Sequence, residues 1–253
     1  QHSNGLAVVQ LAVTTPFERY KMKSRQKSQR KTLHLAIFAA TLATTTILPI
    51  ITQKFDAAQA APVPARSADS FVDSIGVNTH LTYGDTPYGD FNKIKSSLQE
   101  LGIRHIRDGG HNDDDYLNKI NQLAAVGIKS ELIFQGTAPD EVLAVLKKVQ
   151  GAVDAAEGPN ESDLGFMNFS YNGQSFPDGT RNYQQVLYDT VKGDAATKNL
   201  TVVLPSMGWG EDGDKISGIG NLGDYCNMHS YPNSGNQPTY DIDSYFIPHA
   251  KNM

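Results

Sequence analysis

Helices that stop at a glycine and lead directly into a short apolar strand constrain the fold of this chain more than any other feature. Apolar residues at helical spacing predict amphipathic helices at residues 90–101, 116–126 and 139–149. Gly102, Gly127 and Gly151 follow these helices, and glycine readily adopts the left-handed conformation that ends many helices. The repeated order of helix, glycine and strand is typical of parallel α/β domains.

The pattern continues along most of the chain. Helices are also predicted at residues 183–191 and from residue 243 onward, and the predicted strands are residues 74–78, 103–107, 128–134, 152–156, 200–204 and 224–229. Six βα units fit either an open doubly wound sheet or most of a (β/α)₈ TIM barrel. A doubly wound sheet gathers its ligand contacts at one switch point, whereas a barrel builds its site from several loops at the carboxyl ends of its strands.

Polar and aromatic residues follow almost every predicted strand. His80 comes after the first strand, Arg107 after the second and Trp209 after the fifth, while His229 and Tyr231 come after the sixth. Side chains spread over so many strand ends favour the barrel over the doubly wound sheet. We therefore expect an α/β fold that contains about six βα units of a TIM barrel.

The tetrapeptide at residues 158–161 follows the fourth predicted strand and reads Gly-Pro-Asn-Glu. Gly-Pro ends the strand and turns the next two side chains, Asn160 and Glu161, toward a cleft. A carboxyl group placed there can protonate a leaving oxygen, provided that its surroundings raise its pKa toward neutrality. The same tetrapeptide is also compatible with an ordinary strand-to-loop turn that carries a solvated glutamate.

These residues, in this order, resemble the clan of retaining glycoside hydrolases with (β/α)₈ barrels, which includes families 5 and 39. The resemblance spans about residues 71–249. It implies that Glu161 is the general acid/base, that Asn160 binds the 2-hydroxyl of the sugar, and that Arg107 and Tyr231 flank the nucleophile. His80 and His229 also match the clan in position and are expected to bind substrate. Trp209 is expected to bind substrate because its flat apolar face can stack on a sugar ring.

One departure from the clan concerns its nucleophilic glutamate, which follows strand seven. The printed sequence stops at Met253, before a seventh strand, and its predicted mature part is shorter than the roughly 250 residues of a typical barrel. We therefore expect a fragment that lacks about two βα units and is inactive as given. Glu157 is disfavoured as the second carboxylate because it lies on the same strand as Glu161. Glu211 is the better reserve candidate because it lies on a rim loop, and it ranks below a glutamate after a missing strand seven.

The first sixty residues predict a secretory leader. A basic cluster that begins at Lys23 is followed by the apolar residues 33–51 and by Ala58-Gln59-Ala60, a small-residue cleavage site. The predicted organisation is an upstream extension at 1–21, a signal peptide at 22–60, a tail at 61–70 and the partial barrel at 71–253. A secreted or periplasmic protein without a membrane segment after cleavage follows, and a permanent anchor at residues 33–51 is the alternative.

Composition excludes several partners and groups. The net charge of −5 includes the basic leader, so the mature domain is more acidic still and nucleic acid is an unsuitable partner. Cys226 is the single cysteine and cannot form an internal disulfide; it is predicted to be a small core residue. Asp113 to Asp115 are expected to cap a helix, not to bind calcium. No metal or other cofactor is predicted.

The leading hypothesis is a secreted enzyme of carbohydrate metabolism that hydrolyses O-glycosidic bonds with retention and acts on an oligo- or polysaccharide. The alternative is a non-catalytic carbohydrate-binding protein on a barrel scaffold. A nucleotide-dependent oxidoreductase would rest on the glycine motif at residues 218–223 alone. That motif precedes a predicted strand, whereas the dinucleotide fingerprint follows one. The sugar, the linkage, exo or endo action and the oligomeric state stay open.

Overall fold

The computed structural model describes residue 65, residues 67–231, residue 237 and residues 240–253. Its strands are, in chain order, β1 (Gly76–Asn78), β2 (His105–Gly109), β3 (Lys129–Ile133), β4 (Val153–Glu157), β5 (Ser170–Tyr171), β6 (Gln174–Ser175) and β7 (Thr201–Val203). Five of them form a parallel sheet with the order β1-β2-β3-β4-β7, and β5 pairs with β6 as a separate antiparallel hairpin. The predicted α/β fold with a parallel sheet is confirmed.

Helices alternate with the strands of the sheet. They are α1 (Ala68–Asp73), α2 (Phe91–Glu100), α3 (Asp114–Ala124), α4 (Pro139–Lys148), α5 (Asp178–Gly193) and α6 (Ile247–Ala250). The predicted bounds of α2, α3 and α4 are confirmed to within two residues, and α5 begins earlier than predicted. Short 3₁₀ turns occupy Gly210–Ile216 and Gly220–Leu222, and a π-helical turn at Ile242–Phe246 precedes α6.

The predicted glycine stops are confirmed. Gly102, Gly127 and Gly151 have φ values of 68°, 86° and 86°, which is the left-handed region that favours glycine. At Gly127 the backbone N–H groups of residues 127 and 128 bond back to the last turn of α3. The other end of α3 is capped by the Asp113 side chain, which accepts the N–H of Tyr116, as predicted.

The two faces of the sheet differ because alternate residues of a strand point to opposite sides. Ile106, Leu132, Ala156 and Val202 are buried against the helices in the main hydrophobic core. The other face carries Arg107, Glu131, Ala155 and Thr201, which lie in register on neighbouring strands. A cavity of about 550 Å³ borders this second face.

Three predictions about strands need correction. The second strand is His105–Gly109, so Arg107 lies within it and not on the loop beyond. Instead of a sixth strand at residues 224–229, the structure has one parallel bridge between Val203 and Tyr225. Cys226, predicted to be a core residue of that strand, is exposed. A single bridge pairs only part of the segment with the sheet, and the Cys226 side chain stays uncovered.

The N-terminal predictions fall mainly on residues that the structure leaves undescribed. The upstream extension and the signal peptide at 22–60 lie outside the described residues and stay predictions. Residues 68–70, expected to be part of a tail, form the first turn of α1, with Ser67 as its cap. In the described part of the chain, no helix is both long enough and apolar enough to cross a bilayer.

Candidate active site

A buried ion pair joins the second and fourth strands near the carboxyl end of the sheet. Arg107 Nε lies 2.5 Å from Glu157 Oε2, and Nη2 lies 2.5 Å from Oε1. Glu157 is completely buried, and its Oε1 also accepts a 2.7 Å hydrogen bond from Asn227. A guanidinium matches a carboxylate in this two-point geometry, which fixes both side chains. Glu157 is therefore occupied as a structural partner of Arg107.

Asn160 is held by the same arginine. Its Oδ1 accepts 2.8 Å and 3.2 Å hydrogen bonds from Arg107 Nη2 and Ser206 Oγ, respectively. Because both bonds use the amide oxygen, the Nδ2 group is the donor that a ligand hydroxyl can use. Asn160 also forms a parallel bridge with Ser206, so the rim after β4 is joined to the rim after β7.

The backbone of Glu161 has an unusual conformation. Its φ is 46°, in the left-handed region that residues with a side chain seldom adopt. The N–H of Glu161 donates to the backbone oxygen of Ser206 at 2.9 Å and contacts its hydroxyl oxygen at 3.2 Å. Such a conformation costs free energy, of order 1 kcal/mol, and persists only where the surroundings hold it. This backbone conformation sets the direction in which the Glu161 side chain points.

Two side chains from the segment after residue 228 meet that carboxylate. His229 Nδ1 lies 2.6 Å from Glu161 Oε1, and the Tyr231 hydroxyl donates to the same oxygen. His229 is buried, whereas the ring of Tyr231 is half exposed. Burial acts to raise the pKa of Glu161, but the bonds from His229 and Tyr231 and the nearby charges outweigh it, so the pKa is lowered. Glu161 is therefore set as a carboxylate.

Glu131 is a further buried carboxyl group on this face of the sheet. It lies beside Arg107 in the strand register, and both Glu131 and Glu157 depend on that one guanidinium. Burial, followed by the charge of Glu157, raises the pKa of Glu131 to about 8. The raised pKa favours the protonated form of Glu131 beside the ion pair of Arg107 and Glu157.

His80 occupies a different part of the rim. Its ring stacks on Tyr83 with centroids 4.7 Å apart, and the edge of Tyr88 meets it at 5.7 Å. The nearby loop is fixed by Asp108, which accepts hydrogen bonds from the Thr79 hydroxyl at 2.6 Å and the Leu81 N–H at 3.0 Å. His80 has no hydrogen bond to Glu161. The structure therefore places His80 with an aromatic group beside the loop after β1.

Trp209 is held by its backbone while its ring faces solvent. The carboxylate of Asp163 accepts the N–H groups of Gly208 and Trp209, each at 2.9 Å. Trp209 and Tyr231 line the same small cleft, and the Tyr231 hydroxyl reaches Glu161. Of the seven residues predicted for the site, six therefore lie in one connected arrangement, and His80 is the exception.

Sequence reasoning missed several residues that build this arrangement. Glu131, Asn227 and Ser206 support the named side chains and belong to no recognisable motif. Glu157 was considered only as a second carboxylate, and its role as the partner of Arg107 was missed. The signal was present for two of them, because Glu131 and Glu157 are carboxylates inside short apolar strands and must find a partner when buried. Ser206 acts mainly through its backbone carbonyl oxygen, and the residue type does not predict such a contact.

Chemically, the site offers a carboxylate, a hydrogen-bond donor on Asn160 and an exposed aromatic surface. Within the described residues, no three His, Cys, Asp or Glu side chains are grouped so that they could hold a metal ion. Searches against models of known protein families and against curated proteins find no match for this chain. Interpretation of the site therefore depends on its geometry.

Proposed function

We propose that this protein is a glycoside hydrolase that cleaves O-glycosidic bonds with retention, and that its sheet is the larger part of a (β/α)₈ barrel. Glu161 is the general acid/base, and Asn160 binds a sugar hydroxyl through its amide nitrogen. The strand order supports the barrel, since the strands of the sheet follow one another along the chain without the reversal of a doubly wound sheet. Export to the periplasm or the medium is part of this proposal and rests on the predicted leader.

One observation carries the proposal: Glu161 is presented in a strained conformation at the carboxyl end of the sheet. A solvated turn glutamate would need neither a φ of 46° nor two side-chain partners on one carboxylate oxygen. Strained residues of this kind cluster at active sites and ligand-binding sites, and barrel enzymes place their chemistry at this end of the strands.

The reaction needs Glu161 in two protonation states. As an acid it gives its proton to the glycosidic oxygen as the bond to the sugar breaks, and as a base it takes a proton from the water that releases the sugar. The lowered pKa suits the base step. For the acid step, bound substrate must displace the Tyr231 or His229 hydrogen bond, because loss of either donor raises the pKa of the carboxyl group.

Retention also needs a second carboxylate about 5–5.5 Å from the first. In the described part of the chain, the Glu161 carboxylate is hydrogen-bonded to His229 and Tyr231, and neither partner is a carboxylate. Glu157 is committed to Arg107, and Glu211 is exposed in the 3₁₀ turn after Trp209. The proposal leaves the nucleophile unassigned.

The test uses the complete gene product and the variant Glu161→Gln, with Glu211→Gln as a matched control on the same rim. Hydrolysis of glycosides with poor leaving groups should fall by at least about a hundredfold, the usual contribution of general acid catalysis. Cleavage of aryl glycosides with good leaving groups should be spared in the first step, because that step needs little protonation. An equal loss on both substrate types in Glu161→Gln contradicts the assigned role, whereas a loss on both types in Glu211→Gln would identify Glu211 as the second carboxylate.

A second candidate function is a carbohydrate-binding protein without catalysis. The lowered pKa of Glu161 favours it, because a permanently ionised carboxylate can accept hydrogen bonds from sugar hydroxyls but cannot protonate a leaving group. The two functions separate in one assay of the complete gene product. Saturable binding of oligosaccharides with no release of reducing ends over long incubation supports the binding protein, whereas turnover supports the enzyme.

A further inference from the structure

A second aromatic surface lies beside the candidate catalytic carboxyl group. Trp209, Tyr231, Tyr240 and Tyr245 line a cleft of about 280 Å³, together with Gly208, Gly210, Asp241 and Phe246. Three of the rings are unusually open to solvent: Trp209 is 58 % exposed, Tyr231 48 % and Tyr240 46 %. Large apolar side chains grouped on a surface mark a binding site more often than single exposed ones do.

Two glycines, Gly208 and Gly210, shape the backbone of this cleft. A Cβ at Gly210 would lie 2.6 Å from Tyr245 Cε1, and a Cβ at Gly208 would lie 2.6 Å from the Leu164 side chain. The glycines on both sides of Trp209 therefore permit close packing that no other residue allows. With the two Asp163 bonds to its backbone, the exposed Trp209 is set on a rigid segment, which reduces the entropy lost when a ligand binds.

The chemistry of the lining selects the occupant. Flat aromatic faces pack against the C–H faces of a sugar ring, while tyrosine hydroxyls and the Asp241 carboxylate can bond its hydroxyl groups. The described residues that line the cleft include no lysine or arginine, so none of them offers a cation to a phosphate or another anion. Its volume is at the small end for ligand sites, which suits one ring and not a large cofactor.

We propose that this cleft is a saccharide subsite, which binds the sugar unit next to the one whose glycosidic oxygen Glu161 protonates. Tyr231 links the two places, because its ring lines the cleft while its hydroxyl donates to Glu161. The position of this subsite next to a catalytic group rests on the proposed function, whereas saccharide binding in the cleft does not. The subsite makes the protein selective for oligosaccharides over glycosides of a single sugar.

The cleft contains the single tryptophan of the 253-residue chain, so intrinsic fluorescence reports on it directly. The probes are xylo-, cello- and manno-oligosaccharides of one to six units, titrated into the chain that carries Glu161→Gln to prevent turnover. At least one series should change the Trp209 emission saturably, with affinity that rises from one unit to two or more. Tyr245→Ala should weaken that binding about tenfold, as expected for loss of an aromatic contact.

The matched control is Phe166→Ala, which removes another exposed aromatic ring outside the cleft and should leave binding unchanged. Tyr245→Phe should retain most of the affinity, which separates lost stacking from misfolding. An emission that no series changes, or equal binding by Tyr245→Ala and the parent, overturns the subsite. Binding without hydrolysis by the complete gene product would contradict the proposed enzyme while leaving the subsite intact.

Discussion

Residues with positive φ angles occur at both ends of the parallel sheet, but their residue types differ. At the amino end, where helices lead into strands, the left-handed positions are Gly102, Gly127 and Gly151, which adopt them without strain. At the carboxyl end, Gly136 after β3 is also left-handed, but the left-handed position after β4 is filled by Glu161, a residue that disfavours it. At the amino end the residue types suit their backbone conformation. At the carboxyl end Glu161 adopts a conformation that its residue type disfavours, and this places its carboxylate. We infer that the first end serves stability and the second serves function.

The charged groups show the same division. At the amino end, His105 lies between Asp154 and Asp73, with ring nitrogens 3.1 Å and 3.2 Å from their carboxylates, and Arg104 pairs with Asp69 at 2.6 Å. These groups are partly exposed and tie α1 to the sheet. At the carboxyl end, Arg107 and Glu157 are buried and lead to the rim through Asn160. A buried pair is costly to break, while exposed pairs contribute little.

The largest expected effect comes from Arg107→Met. This change leaves Glu157 buried without its cation and should lower the free energy of unfolding by about 3–5 kcal/mol. Urea denaturation at pH 7 measures it. Arg104→Met, in the partly exposed residue directly before the same strand, is the control and should change stability far less. In a double-mutant cycle, adding Glu157→Gln to Arg107→Met should recover part of the lost stability. Equal losses of stability in Arg107→Met and Arg104→Met would contradict the contrast between buried and exposed pairs.

Glu131→Gln should change how stability depends on pH. Because the folded-state pKa of Glu131 is raised, the native protein binds a proton that the unfolded chain releases above its ordinary value of 4.5. Its contribution to stability is therefore complete below that value and is lost as pH rises to about 8. The neutral glutamine should remove this fall, so the variant gains on the parent between pH 4.5 and 8. Unfolding curves with parallel pH profiles in the two proteins would contradict it.

His105→Asn tests the amino end in a neighbouring pH range. A hydrogen bond to Asp154, with help from Asp73, raises the pKa of His105 against the opposing effect of burial. The stability that the charged ring adds is complete below its unfolded pKa of 6.5 and is lost as pH rises through the higher folded value. The variant should be less stable than the parent at pH 6 and closer to it at pH 9. Thermal unfolding across this range measures the difference, and a constant gap would exclude titration of His105.

The smallest expected effects concern the backbone alone. Glu161→Gly should be more stable than Glu161→Ala by about 1 kcal/mol, since both lose the side chain and only glycine accepts the positive φ freely. Gly127→Ala should lose a similar amount, although a Cβ there meets no atom within 4 Å. Denaturation of the three variants gives both differences. Equal stability of the glycine and alanine variants at residue 161 would mean that this position is unstrained.

Sequence reasoning succeeded where structure is decided locally. The bounds of α2, α3 and α4 and the cap at Asp113 follow from apolar spacing, glycine and short polar side chains, all of which act within a few residues. It failed for the segment at residues 224–229, where a β-rich pattern forms only one bridge, at Tyr225. Strand pairing depends on a partner elsewhere in the chain, which a local pattern does not identify.

The candidate site divides in the same manner. Asn160 and Glu161 were recognisable because glycine and proline mark the end of the strand before them. The supporting atoms come from distant parts of the chain: Asn227 bonds Glu157, and Ser206 holds the Glu161 backbone through its carbonyl oxygen. Contacts over such separations depend on the register between strands, and backbone acceptors such as the Ser206 carbonyl carry no sequence signature.

The most direct test of the division between the two ends pairs one variant from each in the same two assays. Glu161→Gln and His105→Asn are compared for free energy of unfolding at pH 6 and for hydrolysis per folded molecule of the complete gene product. We expect Glu161→Gln to lose turnover with near-parental stability, and His105→Asn to lose stability with near-parental turnover. The opposite pattern, or loss of both properties in both variants, would contradict a functional carboxyl end and a structural amino end.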